Sequence, residues 1–165
     1  LLRLPSGEEL SFQGRIDRVD RSGGRLRIID YKTGRKRIKN ESLSGGEALQ
    51  LPVYLLAAAA LFGLSPSQLE EAEACAYHLS PEGVEKVLFS GRAWPEKERL
   101  LRETLAVLYE GIAAGRFFPY PGRNGQNCRF CDYRDLCGPG IERTFRLKAA
   151  DPVLAAFRQM KEEKA

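Results

Sequence analysis

Apolar positions alternate imperfectly from Leu10 to Asp20, through Phe12, Ile16 and Val19, which predicts a strand. Ser22-Gly23-Gly24 reads as a hairpin turn. Arg25 to Tyr31, carrying the apolar pair Ile28-Ile29, is a second strand. Lys32 to Gly46 is polar, bears Gly and Ser, and reads as a loop. Glu47 to Phe62 is rich in Ala and Leu, so a helix is expected there. Pro52 lies near its start: either regular helix begins near Leu51 with Pro52 in its first turn, or an earlier turn is kinked. Gly63 is a C-terminal stop. After a linker, Leu64 to Gln68, alternation through Ala72, Ala74, Ala76 and His78 predicts a strand over Glu70–Ser80. Pro81-Glu82-Gly83 turns the chain, and Val84 to Phe89 pairs back. Pro95 opens a helix to about Ala114, on which Leu101, Leu105, Leu108 and Ile112 form one apolar stripe. Arg116 to Asn127 has no periodicity, and Pro152 to Lys161 makes a last helix. The order strand, strand, helix, strand, strand, helix is that of a mixed α/β domain.

Hydrophobic residues make up 43% of the 165, enough for a core and too many for a disordered tail. The longest apolar run, Leu51 to Gly63, is interrupted by Pro52 and too short to span a bilayer, so no membrane partner is expected. The chain opens Leu-Leu-Arg-Leu-Pro, without Met and without a signal-peptide pattern. The expectation is a piece of a longer cytoplasmic protein. The net charge is only +4, but it is unevenly spread. Ten basic residues lie between Arg15 and Lys39 against three acids, Asp17, Asp20 and Asp30, so that segment is +7. Such a block suits a polyanionic substrate, or is a solvated strand surface.

Asp17 and Asp30 lie on the two strands flanking the Gly-Gly turn, where paired carboxylates can converge on one cation. Lys32 follows Asp30 by two, and in extended chain residues i and i+2 share a face. Two hard oxygen ligands beside an ammonium suit Mg²⁺-dependent phosphodiester hydrolysis. Alone, Asp-x-Lys also fits a surface ion pair at a strand end. Asp20, three residues from Asp17, faces the other side and reads as a surface acid. Of four cysteines, Cys75 is alone and Cys128, Cys131 and Cys137 fall within ten residues. An even count permits two disulfides. Clustered thiols without a secretion signal more often bind metal or do redox work.

The segments Phe12-Gln13-Gly14-Arg15-Ile16-Asp17-Arg18-Val19-Asp20 and Ile28-Ile29-Asp30-Tyr31-Lys32-Thr33-Gly34 resemble motifs II and III of the PD-(D/E)XK nuclease superfamily. The closer likeness is to the RecB-type domains of bacterial helicase–nucleases, whose Gln-x-x-x-Tyr motif is similar to Gln50-Leu51-Pro52-Val53-Tyr54. The resemblance runs from Phe12 to Cys137. It implies a restriction-endonuclease-like α/β core, a mixed sheet flanked by helices, over residues 1–127. Residues 128–165, with the cysteines and the last helix, would belong to the same domain. It implies Asp17 and Asp30 as ligands to Mg²⁺ or Mn²⁺, the Tyr31 carbonyl as a further ligand, and Lys32 as the catalytic lysine. Gln50 and Tyr54, four apart and so on one helix face, would position substrate; a helix-start hydrogen bond and a core-edge tyrosine is the plainer alternative.

Cys128-x2-Cys131-x5-Cys137 resembles the C-terminal part of the four-cysteine [4Fe–4S] staple of AddB-type nucleases; a zinc knot would also accept it. In that family the fourth cysteine lies before the nuclease core, so it is expected upstream of this chain. Cys75, the remaining candidate ligand within the chain, reads first as a buried core thiol; His78 reads first as a surface histidine at a strand end, with a zinc ligand as the alternative; and Phe117, Phe118 and Tyr120 read as loop anchors or base-stacking groups. The family's motif I, a Glu or His on a helix before the first strand, has no match among the eleven residues before Phe12. The chain is therefore expected to lack that helix and the first cysteine and, in isolation, to bind metal weakly, to cut DNA poorly or not at all, and to hold an iron–sulfur cluster incompletely.

The implied function is a Mg²⁺-dependent deoxyribonuclease, an exonuclease on single-stranded DNA, working beside a helicase domain or partner subunit in recombination and repair. A CRISPR-associated iron–sulfur nuclease, a catalytically inactive DNA-binding scaffold of the same fold, and a zinc or iron–sulfur redox protein are the alternatives. The last leaves Asp-x-Lys and Gln-x-x-x-Tyr unexplained.

Overall fold

The chain folds, in a computed structural model that describes residues 2–33, 43–129 and 131–162, into two units: Leu1–Ala106 with Met160–Ala165, and Val107–Gln159. In the first, β1 (Leu2–Arg3) and β2 (Glu9–Leu10) pair antiparallel across a Pro5-Ser6-Gly7 turn. The strand expected over Leu10–Asp20 is therefore divided. Residues 11–16 make no ladder, and their polar side chains Ser11, Gln13 and Arg15 are exposed, so nothing rewards pairing there. Regular pairing resumes in β3 (Arg18–Ser22), antiparallel to β4 (Arg25–Lys32). Gly23 and Gly24 join them with φ of 56° and 84°, the left-handed pair that a two-residue hairpin turn needs.

Part of the expected loop after β4, residues 34–42, lies outside the described residues. Ser44–Gly46 forms a single 3₁₀ turn, and α1 spans Gln50–Phe62. Pro52 lies in its first turn, where a missing N–H costs nothing, and Gly63 ends it with φ 60°. The segment expected as a linker holds a short helix, α2 (Pro66–Glu71). Ser65 caps it by accepting from the Gln68 N–H, while the Gln68 side chain accepts from the Ser65 N–H. β5 (Glu73–Ser80) then lies parallel to β4, and β6 (Gly83–Ser90) returns antiparallel to β5. The sheet order is β3-β4-β5-β6, with α1 and α2 in the crossover that a parallel pair requires.

Leu26, Ile28, Ala74, Ala76 and Phe89 form one sheet face, packed with Leu51, Leu55 and Ala58 of α1. Ala74, Cys75 and Ala76 are all buried, as befits an interior strand covered on both faces. α3 (Trp94–Ala113) starts with Trp94 set edge-on to Phe89, ring centroids 6.4 Å apart. Leu101 and Leu105 of its stripe are buried, but Ile112 is exposed, so the expected stripe fades in the helix's last turns.

The second unit holds α4 (Arg134–Cys137), α5 (Ile141–Leu147) and the first turns of α6 (Ala155–Glu162). Its aromatic cluster joins Phe118 and Tyr120 to Phe157, centroids 4.8 and 5.1 Å apart, and Tyr120 to Phe145 at 5.4 Å. Phe118 and Tyr120 are thus loop anchors, while Phe117 is exposed. Among the described residues no helix is long and apolar enough to cross a membrane.

Candidate active site

The buried face of β4 reads Leu26, Ile28, Asp30, Lys32: two aliphatic positions, then an acid and a base in the same period of two. Asp30 is only 3% exposed. Its Oδ1 accepts a 3.3 Å bond from Gln50 Nε2, at the first residue of α1. Its Oδ2 faces the Lys32 ammonium, with Nζ 2.7 Å away, as an ion pair. A buried carboxylate is costly unless a cation faces it.

Asp17 occupies the bend just before β3. Arg18 pairs with Ile29, so one step further the register brings Asp17 toward Asp30. Its Oδ2 accepts the Tyr31 N–H at 2.9 Å, tying the carboxylate to the backbone between Asp30 and Lys32. Asp20 is engaged by Arg18 Nε at 2.7 Å and takes no part here. Gln50 also donates to the Tyr54 hydroxyl at 2.9 Å, which donates to the Arg15 carbonyl at 2.9 Å. The i,i+4 pair on α1 thus links Asp30 to the segment entering β3. That backbone anchor has no side-chain signal in the sequence.

His78 departs from its expected surface position. It is 8% exposed, on the α1-facing side of β5, and pairs in register with Lys32. The cause is the parallel β4–β5 pairing, which makes β5 an interior strand. Cys75 is the core thiol expected: fully buried, donating to the Ile28 carbonyl at 3.4 Å. Burial pushes its pKa above the usual thiol value.

Cys128, Cys131 and Cys137 are free thiols in the second unit and line one cavity of about 850 Å³, with Arg129, Arg134 and Glu142. Among the described residues no group of three or more His, Cys, Asp or Glu stands assembled to hold a metal ion. The thiols fit an iron–sulfur cluster in kind, without being gathered as a ligand set. At the carboxylates the fit to a divalent ion rests on the buried Asp30, whose Oδ2 is balanced by the part-exposed Lys32 ammonium and has no other donor among the described residues.

A mixed sheet flanked by helices, with Asp and Lys closing a buried strand beside a second carboxylate, defines a restriction-endonuclease-like fold. The family model of the PD-(D/E)XK nuclease superfamily matches residues 2–138, and the chain belongs to that superfamily. It is similar to an ATP-dependent helicase/deoxyribonuclease subunit of Clostridium perfringens, 50% identical over 58 residues, which is 33% of this chain and 5% of the relative. The corresponding subunit from Thermoanaerobacter pseudethanolicus is 48% identical over 56 residues, 32% of this chain and 5% of the relative. That from Symbiobacterium thermophilum is 44% identical over 59 residues, 33% and 5%. The chain thus matches about 5% of the length of these curated relatives. No solved structure matches it.

Proposed function

We propose that this chain is the nuclease domain of a helicase–nuclease, hydrolysing DNA phosphodiester bonds with a divalent cation, Mg²⁺ or Mn²⁺, held by Asp17 and Asp30. The observation that carries the reading is the buried Asp30 carboxylate, whose Oδ2 faces Lys32 Nζ at 2.7 Å while Asp17 is tied to the backbone between the two. A bound divalent ion lowers the pKa of water and offsets charge developing on phosphate. Asp30 presents Oδ2 to that ion, while Gln50 fixes the carboxylate through Oδ1. Asp17 is held beside it by the Tyr31 N–H, and the Tyr31 carbonyl is the further ligand. Lys32 is 33% exposed at its side chain, so its ammonium can turn from Asp30 to orient water or stabilise the pentacovalent phosphate. Tyr54 and Gln50 hold the entry to β3 against α1, and so position Asp17 and Asp30 together.

The same reading assigns Cys128, Cys131 and Cys137 as three of four thiolates of a structural [4Fe–4S] cluster, the fourth coming from outside this chain. The cavity that all three line supports it. The names of the relatives support DNA as substrate and a helicase as partner; the single-stranded preference is part of the proposal.

The test is cleavage of labelled single- and double-stranded DNA in Mg²⁺ and in EDTA. It compares the chain, a form extended upstream and purified anaerobically, and each with Asp30→Ala or Lys32→Ala. Mg²⁺-dependent cleavage, abolished by either substitution and faster on single strands, is expected. Cleavage that survives Asp30→Ala, or no cleavage by the extended form with its iron and sulfide intact, overturns the nuclease reading.

A further inference from the structure

β4 sends Asp30 and Lys32 to one face and Tyr31 to the other. On that second face the register aligns Tyr31 with Tyr77 of β5, and Tyr77 with Lys86 of β6. The tyrosine rings stack, centroids 6.2 Å apart and 26° from parallel. Lys86 Nζ stands 5.8 Å from the Tyr77 ring centroid. At the other end Arg18 Nη1 reaches the Tyr31 hydroxyl at 3.5 Å. The row is open along most of its length: Tyr31 is 43% exposed, Tyr77 is half-buried, Lys86 is exposed, and Leu79 and Val84 beyond it on the same face are exposed too. Cross-strand aromatic pairing accounts for the tyrosines meeting each other. It does not account for their reaching solvent between two cations, Lys86 at one end and at the other Arg18, which also pairs with Asp20.

We infer that Arg18, Tyr31, Tyr77 and Lys86 form a platform for single-stranded DNA, where bases stack on the two rings and phosphates meet the two cations. The inference rests on the nuclease reading for its choice of ligand. A polyanion with flat, stackable faces matches both components, since base–aromatic stacking tolerates any sequence and the cations follow the backbone. A protein segment would use the apolar residues but has no need of the cations. The platform lies on the sheet face away from Asp30, so it holds substrate without touching the reacting phosphate.

The test is fluorescence anisotropy with labelled oligo(dT) in EDTA, where binding is read without cleavage, on the wild-type chain, Tyr77→Ala, Tyr77→Phe and Lys86→Glu. Tyr77→Ala should raise Kd about 5- to 150-fold, the range for a lost base–aromatic stack. Tyr77→Phe, which keeps the ring, should stay within about twofold, and Lys86→Glu should weaken binding in a way that salt erases. In Mg²⁺, Tyr77→Ala should raise KM and leave kcat unchanged. Irradiated 4-thiothymidine-substituted oligo(dT) should cross-link to Tyr77 or its neighbours. Unchanged Kd in folded Tyr77→Ala, or, if that variant does not fold, unchanged Kd in Lys86→Glu with no cross-link at β5, overturns the platform. Either result would leave the face to a protein partner. A wild-type chain that binds DNA while these variants match it refutes the platform alone; an upstream-extended, cluster-bearing form that neither binds nor cuts refutes the nuclease reading beneath it.

Discussion

Asp30→Asn should lower the stability of the metal-free chain while ending cleavage. In the absence of a divalent ion, the buried Asp30 carboxylate accepts a 3.3 Å hydrogen bond from Gln50 at Oδ1 and pairs with the Lys32 ammonium, 2.7 Å from Oδ2. A third of the lysine side chain is in solvent, so the pair contributes about 0–1 kcal/mol. An amide is isosteric and keeps an oxygen for Gln50, but it turns an NH2 toward that ammonium, donor against donor, and a buried donor left unpaired costs about 1–3 kcal/mol. Relief of the buried charge offsets part of this. The balance favours Asp by about 1–2 kcal/mol, or roughly 2–8 °C in Tm for a chain of this size. Mg²⁺ widens the gap. At a hundredfold excess over its Kd, a divalent ion bound only by the folded chain adds about 2.7 kcal/mol to the wild type. Asp30→Asn, short of one ligand, should gain little. The assay is thermal unfolding followed by circular dichroism, in EDTA and across a Mg²⁺ titration, on both proteins. An Asp30→Asn variant that melts with or above the wild type in EDTA and rises in parallel with it in Mg²⁺ would refute the reasoning. Asp30 would then be neither a needed partner of Lys32 nor a cation ligand.

Tyr54→Phe removes the hydroxyl that joins Gln50 to the Arg15 carbonyl. It should cost about 0.5–1.5 kcal/mol in denaturant unfolding. It should also lower kcat about 10- to 100-fold, as loss of a group that orients a metal ligand does; unaltered kcat would make Tyr54 purely structural. Gly91→Ala should be the most damaging glycine-to-alanine change among the described residues, because a Cβ there would lie 1.9 Å from the Leu69 carbonyl oxygen, and backbone must move. A loss of about 1–3 kcal/mol or more is expected on unfolding, and a wild-type melting curve would contradict it. Burial holds the Cys75 pKa above that of the unfolded chain, so the unfolded state loses its proton first as pH rises. The neutral thiol's contribution is whole below about pH 8.5 and declines above it, by up to about 1.4 kcal/mol per pH unit. Cys75→Ala should remove that part of the alkaline slope in unfolding curves. In the folded, cluster-free chain, Ellman's reagent should modify Cys131 rapidly and Cys75 only as the chain unfolds.

The features legible in the sequence are those that neighbouring residues determine. The β3–β4 hairpin follows from Gly23-Gly24 and the apolar pattern around it. Asp30 stands out because an acid continues the stripe Leu26, Ile28 where another aliphatic belongs. Lys32 then falls on its face by the two-residue period alone. The Gln50–Tyr54 pair needs only the helical period and a proline tolerated in the first turn. The α2 helix escapes a reading by pattern although its Ser65-Pro66-Ser67-Gln68 opening carries a capping box. Its six residues are simply too few to show a periodicity.

What distant pairing decides is not legible in the same way. His78 sits in the stripe Ala74, Ala76, His78, so its face can be read. Its burial cannot, because that depends on which strand lies beside β5. The partner is β4, more than forty residues earlier, reached through α1 and α2. That parallel pairing sets Lys32 next to His78 on one face and Tyr31 next to Tyr77 on the other. The site carboxylates come from one local hairpin, whereas the buried histidine and the tyrosine row come from one long crossover. An insertion of one residue between α2 and β5 separates the two contributions. If the strand slipped by that residue, Asp30 and Lys32 would keep their hairpin while Tyr77 moved to the face of α1. Such a chain would retain the proposed metal ligands and lose the proposed platform, so the two proposals draw on residues encoded at different distances along this sequence.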